Sequence, residues 1–519
     1  RRDLIRWSML GAGTAPLATF LAACADGGGS APPTSPRPPG TTATSTAATS
    51  APTTPAATTQ PAALPGTTTA VDPDIAWWLQ GNFAPVFDEV ETFELSVRGA
   101  IPPELNGLYA RNGSNPASGE SPHWFFGDGM AHGVRLGAGR AEWYRNRWVR
   151  TTMYEGGLTF GTGPPGGASN QSNVSLIWHG GRLLSSGEVG SPYELDPLDL
   201  STRGVHDFGG GLTSSFTAHP KIDPATGNLH FFGYGFVPPY LTYSVADPSG
   251  VIVHSETVDL PRSTMIHDFA ITATDVIFWD LPVIFDLEAA IAFIDDPAAD
   301  VFPYRWQPDA GARVGVMPLG GPASAIRWFD IDPCYVFHGV NAFRRGDSVV
   351  LDVCRLTSMF APDETFGGDL SLRRWTLDEV TGRVTDDIVE ADDPGELPSR
   401  DPRRVGREHR YGYLVETRDN PNTVDFGGLI KHDYTTGTRT AWKPGPTLHA
   451  GEWLFVPGDD GDLADDAGWL LSFVHDEATA TSDLVIVDAT DVASGPVASI
   501  TLPQRVPYGF HATWVPSSS

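Results

Sequence analysis

From Val71 onward, the chain is a long series of short apolar or aromatic runs separated by Gly, Asp, Asn and Pro. Runs such as Asp275–Trp279 and Asp483–Val487 have the length and composition of β-strands. Sequences of the form Asp-x-x-Thr-Gly, at Asp223–Gly227 and Asp378–Gly382, are typical of the turns that join such strands into hairpins. This pattern predicts an all-β protein, folded as a barrel, a sandwich or a propeller.

Helical periodicity is rare in this part of the chain, and Phe285–Ile294 is the best candidate for a helix. Several hundred residues follow without an obvious domain break, which favours a propeller because a propeller grows by adding blades around one axis. No tight repeat motif marks individual blades, so the pattern alone predicts an all-β fold and no more.

The beginning of the chain has the composition of an export signal. Arg1-Arg2 precedes a largely apolar stretch that ends in Leu-Ala-Ala-Cys24. A twin arginine indicates the Tat export route, and this ending resembles a bacterial lipobox, in which the cysteine is lipidated. We expect an exported protein, lipid-anchored through Cys24 to the outer face of the cytoplasmic membrane in the cell envelope. The alternative is a cleaved signal in which Cys24 is incidental.

Composition divides the chain into three parts. We expect residues 1–24 to be the Tat-type lipoprotein signal peptide and residues 25–74, rich in Ala, Thr and Pro, to be a disordered linker. Residues 75–519 are expected to form the folded domain. Cys334 and Cys354 could pair in an oxidising compartment, but buried and unpaired thiols are favoured because free cysteine is often a core residue.

Charge excludes one class of partner. The formal net charge is −29, and the only lysines are Lys221, Lys431 and Lys443. Such a surface repels phosphates, so we expect no nucleic-acid partner.

Two motifs match known sites only by their letters. Gly161–Gly166 fits Gly-x-Gly-x-x-Gly, but two prolines remove backbone donors that a phosphate would need, so we interpret it as a loop. Asp459–Asp462 with Asp465 and Asp466 lacks the spacing of an EF-hand, which favours a solvated acidic loop over a calcium site.

Four histidines lie far apart, each in a strand-like and aromatic-rich setting: His219, His267, His338 and His511. Any one of them alone is best interpreted as a core or surface histidine with a satisfied hydrogen bond. Together with their flanking segments they match a family. The stretches that carry the match are Asn106–Pro116, His123–Leu136, Trp143–Thr151, Ala218–Gly227, Pro333–Phe343 and Tyr508–Trp514.

In these stretches, and in their order, the chain resembles the carotenoid cleavage oxygenases from about Glu94 to Pro516. The resemblance implies a seven-bladed β-propeller, with a few short helices and loops capping an axis that bears one Fe(II). It also implies that His219, His267, His338 and His511 are the metal ligands. Imidazole suits iron, and four such ligands leave up to two positions for oxygen or substrate.

The same resemblance assigns further residues to the site. Glu188, Glu396 and Glu452 are expected to accept hydrogen bonds from the metal-bound imidazoles, with Glu194 as the competitor of Glu188. Val174 matches a position at which a side chain crowds one open metal position, although a plain core valine is equally compatible. His123 and His132 lie in a segment that is structural in the family. No catalytic residue beyond the metal site is expected.

The implied function is a non-haem Fe(II) dioxygenase that cleaves a conjugated carbon–carbon double bond of a carotenoid or apocarotenoid with O₂, giving two carbonyl products. The expected partners are a small apolar polyene, O₂ and, through the lipid anchor, a membrane, and we expect a monomer. One alternative is a lignostilbene-type dioxygenase, disfavoured because no lysine is well placed to hold a phenolate. Another is a tethered propeller that only binds, and isomerisation without cleavage is a third.

Overall fold

The predicted short runs form β-strands that are gathered into antiparallel sheets. The computed structural model describes residues 72, 74–156, 170–295, 302–362, 364, 367–392, 394–418, 424–458 and 464–517. The predicted signal peptide with Cys24, nearly all of the predicted linker, Gly161–Gly166 and Asp459–Asp462 lie outside these residues. Seven sheets of four to six strands are the blades of a β-propeller, so the predicted architecture is confirmed.

The first five blades follow one another along the chain, and each is a four-stranded meander. Blade I contains Ser175–His179, Arg182–Ser186, Tyr193–Leu195 and Thr202–Val205. Blade II contains Lys221–Ile222, Leu229–Tyr234, Leu241–Ala246 and Ile252–Val258. Blade III contains Ala270–Ile271, Asp275–Asp280, Ala312–Pro318 and Arg327–Ile331. Blade IV contains Tyr335–Arg345, Ser348–Leu356, Leu370–Asp378 and Val384–Glu390. Blade V contains Gly395–Ser399, Tyr411–Arg418, Asp425–Asp433 and Thr438–Trp442.

Blades VI and VII close the ring by combining strands from both ends of the folded domain. Blade VI contains Leu448–Ala450, Leu454–Pro457, Gly468–Asp476, Thr481–Asp488, Pro496–Thr501 and the early strand Ser96–Gly99. Blade VII contains the late strand Ala512–Pro516 followed by Gly107–Arg111, Met130–Gly137, Arg140–Trp148 and Glu91–Thr92. Because blades VI and VII each combine strands that are distant in sequence, pairing between the two ends of the domain holds the ring closed.

Neighbouring blades pack face to face, which explains why the middle strands lack an alternating pattern. In blade II, Leu229–Tyr234 and Leu241–Ala246 are buried along their whole length. The outer strand Ile252–Val258 instead alternates between exposed and half-buried residues, as expected when one face meets solvent. Apolar clusters fill the spaces between blades, and one that includes Trp279 and Trp375 joins blades III and IV.

One insertion interrupts blade III. The hairpin Val283–Phe285 with Tyr304–Trp306 carries the helix α1, Leu287–Asp295. The predicted helix is confirmed but begins later than Phe285, because that residue pairs with Tyr304 in the hairpin. Single turns of 3₁₀ helix complete the described elements: Trp77–Leu79, Gly81–Phe83, Trp124–Phe126, Pro308–Ala310, Ala323–Ala325, Pro402–Arg404 and Val492–Ser494.

Cys334 and Cys354 are both buried and unpaired, as predicted. Within the described ranges, no helix combines the length and the apolar character that crossing a bilayer requires.

Candidate metal centre

Four blades each deliver one histidine to a common point near the start of their first strand. His219 and His267 precede the first strands of blades II and III, His338 lies within Tyr335–Arg345, and His511 directly precedes Ala512–Pro516. One ring nitrogen from each histidine lies within 4.8 Å of the others. Because first strands converge on a propeller axis, residues almost 300 positions apart meet there.

The three remaining blades each deliver one glutamate that holds one of these rings. The Nδ1 atoms of His267, His338 and His511 lie 2.8, 2.7 and 2.9 Å from carboxylate oxygens of Glu188, Glu396 and Glu452, respectively. An ionised carboxylate only accepts, so opposite an ionised glutamate the Nδ1 carries the proton and the Nε2 keeps its lone pair. The structure thus places all three predicted glutamates against the predicted histidines.

The Nε2 atoms face one another at hydrogen-bond distances, which are also the distances between nitrogens that bind one cation. The Nε2 atoms of His219 and His267 are 2.9 Å apart, and those of His267 and His338 are 3.3 Å apart. Two imidazole nitrogens bound to one ion at roughly 2.1 Å, the usual Zn–N length, lie about 3.0 to 4.2 Å apart, depending on the angle between the two bonds. The donor set and its spacing therefore fit a metal ion.

His219 is held differently from the other three. Among the described residues, no carboxylate contacts its ring, and its backbone N–H donates to the Thr217 hydroxyl at 3.0 Å. Its position consequently depends on its chain segment more than on a partner of its ring. Nothing in the spacing of the sequence distinguishes His219 in this respect.

Burial controls the protonation of the cluster. It lowers the pKa of His219 and of His338 well below the ordinary value, and the neighbouring histidines lower both further. Burial also lowers the pKa of His267, but the charge and hydrogen bond of Glu188 outweigh it, so the net direction is upward. Burial raises the pKa of Glu396 to about 8, and a cation held by the neighbouring imidazoles would favour the ionised carboxylate that accepts from His338. The two lowered values favour the neutral imidazoles that a metal requires.

Two contacts around these residues could not be predicted from the motifs. The Tyr234 hydroxyl donates to Glu188 at 3.1 Å and so supports the carboxylate that holds His267. Asp268 directly follows His267 and contacts the segments of two other histidines. The one available signal for Asp268 was its position, an acidic residue next to a candidate ligand in an otherwise apolar segment.

Val174 lies at the start of blade I and is half-buried. Its carbonyl accepts from the His511 N–H at 3.1 Å, and its side chain packs on a cluster that includes Trp124 and Phe510. These contacts place Val174 beside the histidines.

Glu194, the competitor of Glu188, instead accepts from Arg182 and Arg203 in ion pairs within blade I.

The remaining candidate residues lie away from the cluster. His132 contacts the Tyr144 hydroxyl at 2.9 Å inside blade VII, and the ring of His123 accepts from the Phe125 N–H at 3.2 Å. Asp465 and Asp466 are half-buried and paired with Arg404 and Lys431, so these two are not the solvated residues that were expected. Both carboxylates form ion pairs because blade V carries the positively charged side chains next to them.

Four imidazoles meet on the axis of this propeller, three of them held by glutamates and one by its backbone. This arrangement defines a class of candidate metalloenzymes. Comparison with known proteins places the chain within that class. A family model described as retinal pigment epithelial membrane protein, RPE65, matches residues 83–516. The chain is 38% identical over 498 residues to the carotenoid cleavage oxygenase of Mycobacterium tuberculosis, covering 85% of this chain and 98% of that protein.

It is 34% identical over 500 residues to the carotenoid 9,10(9',10')-cleavage dioxygenase of Crocus sativus, covering 84% of this chain and 89% of that protein. The crystal structure of Pseudomonas brassicacearum lignostilbene dioxygenase is similar with a TM-score of 0.75 and 30% identity, covering 85% of this chain and 98% of that one. The chain therefore belongs to the RPE65 and carotenoid cleavage oxygenase family, and it is an oxygenase of the carotenoid-cleavage type.

Proposed function

We propose that this oxygenase is an Fe(II) dioxygenase that splits a conjugated double bond of a carotenoid or apocarotenoid into two carbonyl products. The observation that carries the proposal is the cluster of four imidazoles with ring nitrogens within 4.8 Å of one another. Four neutral nitrogen donors suit iron, among other first-row metals. The bound ion would supply the activation of O₂, which no side chain of the described cluster can provide.

The protein residues would then hold and orient the centre. His219, His267, His338 and His511 would be the ligands. Glu188, Glu396 and Glu452 would keep the proton of their imidazole partners on Nδ1, which leaves Nε2 free to bind the metal. Val174 would narrow one open position, since it lies beside His511.

The surroundings of the cluster support a dry, apolar substrate site. The ring of Phe337 lies edge-on to His267 at 5.1 Å between centroids. Phe337 and Phe510 are buried, and the ring of Phe125 lies 6.3 and 6.1 Å from theirs. Aromatic and aliphatic walls bind a polyene by burying its surface, roughly 25 cal/mol per Å².

The three lysines of the chain argue for a polyene over a phenolic stilbene. Lys221 pairs with Asp268, Lys431 with Asp466 and Lys443 with Glu416, at 2.6, 2.6 and 2.7 Å. Each ammonium therefore already has a carboxylate partner. A phenolate would have to compete for one of them or rely on an arginine or a neutral donor such as a tyrosine hydroxyl.

Lignostilbene-type cleavage is the second candidate, and the likeness to the P. brassicacearum lignostilbene dioxygenase structure favours it. A tethered module that only binds is disfavoured by the intact histidine–glutamate network.

For location, we propose Tat export and a lipid anchor at Cys24, supported by the order of arginines, apolar stretch and Leu-Ala-Ala-Cys in the sequence. The anchor would place the enzyme beside the phase in which polyenes dissolve. We propose that it acts as a monomer.

The test is a substrate panel. Protein loaded anaerobically with Fe(II) is given carotenoids, apocarotenoids and hydroxylated stilbenes in the same detergent, and products are identified by mass spectrometry. The proposal predicts aldehyde or ketone fragments from at least one polyene, with a higher kcat/KM than for any stilbene. A clear preference for a stilbene would contradict the substrate, and absence of metal from the loaded protein would contradict the centre.

A further inference from the structure

A buried carboxylate outside the proposed ligand and glutamate sets links the histidine-bearing segments. Asp268 directly follows His267 and is 1% exposed. Its Oδ1 accepts from the Lys221 ammonium at 2.6 Å and from the Phe269 N–H at 2.7 Å. Its Oδ2 accepts from the Gly339 N–H at 2.9 Å. Both oxygens of this carboxylate are therefore engaged, and by three donors.

Two of these donors belong to the segments of other histidines. Lys221 lies two residues after His219, and Gly339 directly follows His338. Asp268 itself adjoins His267. One side chain consequently touches the segments that carry three of the four histidines, on blades II, III and IV.

The strand Tyr335–Arg345 is shaped to reach this carboxylate. Its register with Ser348–Leu356 is irregular on both sides of Gly339. Such irregularities re-aim side chains and release backbone groups from the ladder. Here the side chain of His338 points to the axis while the N–H of Gly339 donates to Asp268.

We propose that Asp268 is a positioning residue that clamps the segments of His219, His267 and His338 at the spacing the metal needs. This inference rests on the proposed metal centre. The clamp matters most for His219, because among the described residues its ring has no carboxylate partner. Through Lys221, Asp268 holds the His219 segment against that of His267, the two rings whose Nε2 atoms are 2.9 Å apart.

In the tautomers that bind a metal, both Nε2 atoms carry lone pairs, and these repel at that separation, so the protein must hold the rings in place for the ion. A buried hydrogen bond between charged partners is stronger than one between neutral groups and suits this task. The glutamates fix the tautomer and angle of individual rings, whereas Asp268 fixes the distances between their chain segments.

The test compares Asp268→Asn with Asp466→Asn. Asp466 is a matched control, because it also receives a buried lysine ammonium at 2.6 Å, from Lys431 in blade V, and neither residue is part of the histidine cluster. For both variants and the parent we would measure the dissociation constant of Co(II), the visible spectrum of bound Co(II) and the Tm of the metal-free protein.

We expect Asp268→Asn to weaken Co(II) binding about 10- to 100-fold and to change the Co(II) spectrum. Asp466→Asn should lower the Tm while leaving the Co(II) dissociation constant and spectrum unchanged. The double variant Lys221→Met with Asp268→Asn removes both buried charges, which protects folding, and it should show the same loss of affinity. Parent-like binding and spectrum in folded Asp268→Asn or in the double variant would overturn the clamp. Failure of the parent itself to bind metal would instead overturn the proposed centre.

Discussion

Replacing Glu452 by Gln tests how a hydrogen-bond partner of a histidine controls the metal centre. Glu452 is buried and uses both oxygens: Oε1 accepts from the Nδ1–H of His511 at 2.9 Å, and Oε2 accepts from the N–H of Ala512 at 2.7 Å. Glutamine offers one acceptor oxygen and one NH₂ donor. If the NH₂ faces Ala512, two donors meet. If it faces His511, the imidazole proton must move to Nε2, and the lone pair that would bind metal is lost.

The first outcome removes one hydrogen bond to a buried carboxylate, which is worth about 1.5–3 kcal/mol, and the second removes the lone pair that would bind the metal. About 1.4 kcal/mol corresponds to a tenfold change in an equilibrium constant. We therefore expect the metal dissociation constant to rise about 10- to 100-fold, in line with the usual effect of losing a partner of a ligating histidine. Anaerobic competition of Fe(II) or Co(II) between the protein and a chromophoric chelator measures this change.

Glu194→Gln is the matched control. Glu194 also engages both oxygens, with Arg182 at 2.7 Å and Arg203 at 2.8 Å, but it lies in the third strand of blade I and contacts none of the four histidines. The Glu194→Gln protein should be less stable than the parent and should bind metal with the parental affinity. An affinity within twofold of the parent in Glu452→Gln, or an equal loss in both variants, would contradict a role for Glu452 in holding a metal ligand.

Three further predictions concern the proposed metal ligand, the lipid anchor and the substrate. His338→Ala should abolish cleavage and sharply lower metal content while the propeller stays folded, as measured by elemental analysis and circular dichroism; full metal and activity would remove His338 from the ligand set. Cys24→Ala should release the protein from membranes, because two acyl chains give stable anchoring and the predicted linker has no apolar surface; unchanged fractionation would contradict the lipobox. A long apolar polyene should be cleaved with a higher kcat/KM than a hydroxylated stilbene in the same detergent, and the reverse order would contradict the substrate assignment.

Much of the fold could be predicted because strand length and turn composition are local properties. The Asp-x-x-Thr-Gly sequences at Asp223 and Asp378 do lie between paired strands. The pairing of Ser96–Gly99 with Pro496–Thr501, which closes the ring, has no local signature and depends on the whole circle being present. The number of blades came from the family resemblance and not from periodicity.

The residues of the site also divide into those that local motifs predict and those that only the folded propeller brings together. The histidines carry distinctive flanking sequences, so His338 and His511 could be identified from motifs alone. The motif favoured Glu188 with Glu194 as its competitor, and blade I places Glu188 against His267 and Glu194 among arginines. The carboxylate of Asp268 contacts groups on its own chain segment and on two others, so these contacts exist only in the assembled propeller.

The most direct measurement concerns the fate of O₂. Metal-free protein is loaded anaerobically with Fe(II), mixed with the preferred polyene and exposed to ¹⁸O₂, and the products are analysed by mass spectrometry before their carbonyl oxygens exchange with water. We expect two carbonyl fragments, each carrying an oxygen atom from O₂, that form only with iron and are absent with His338→Ala. Equal cleavage by the metal-free protein, or an iron-loaded protein that cleaves neither polyenes nor stilbenes, would contradict the proposed iron dioxygenase.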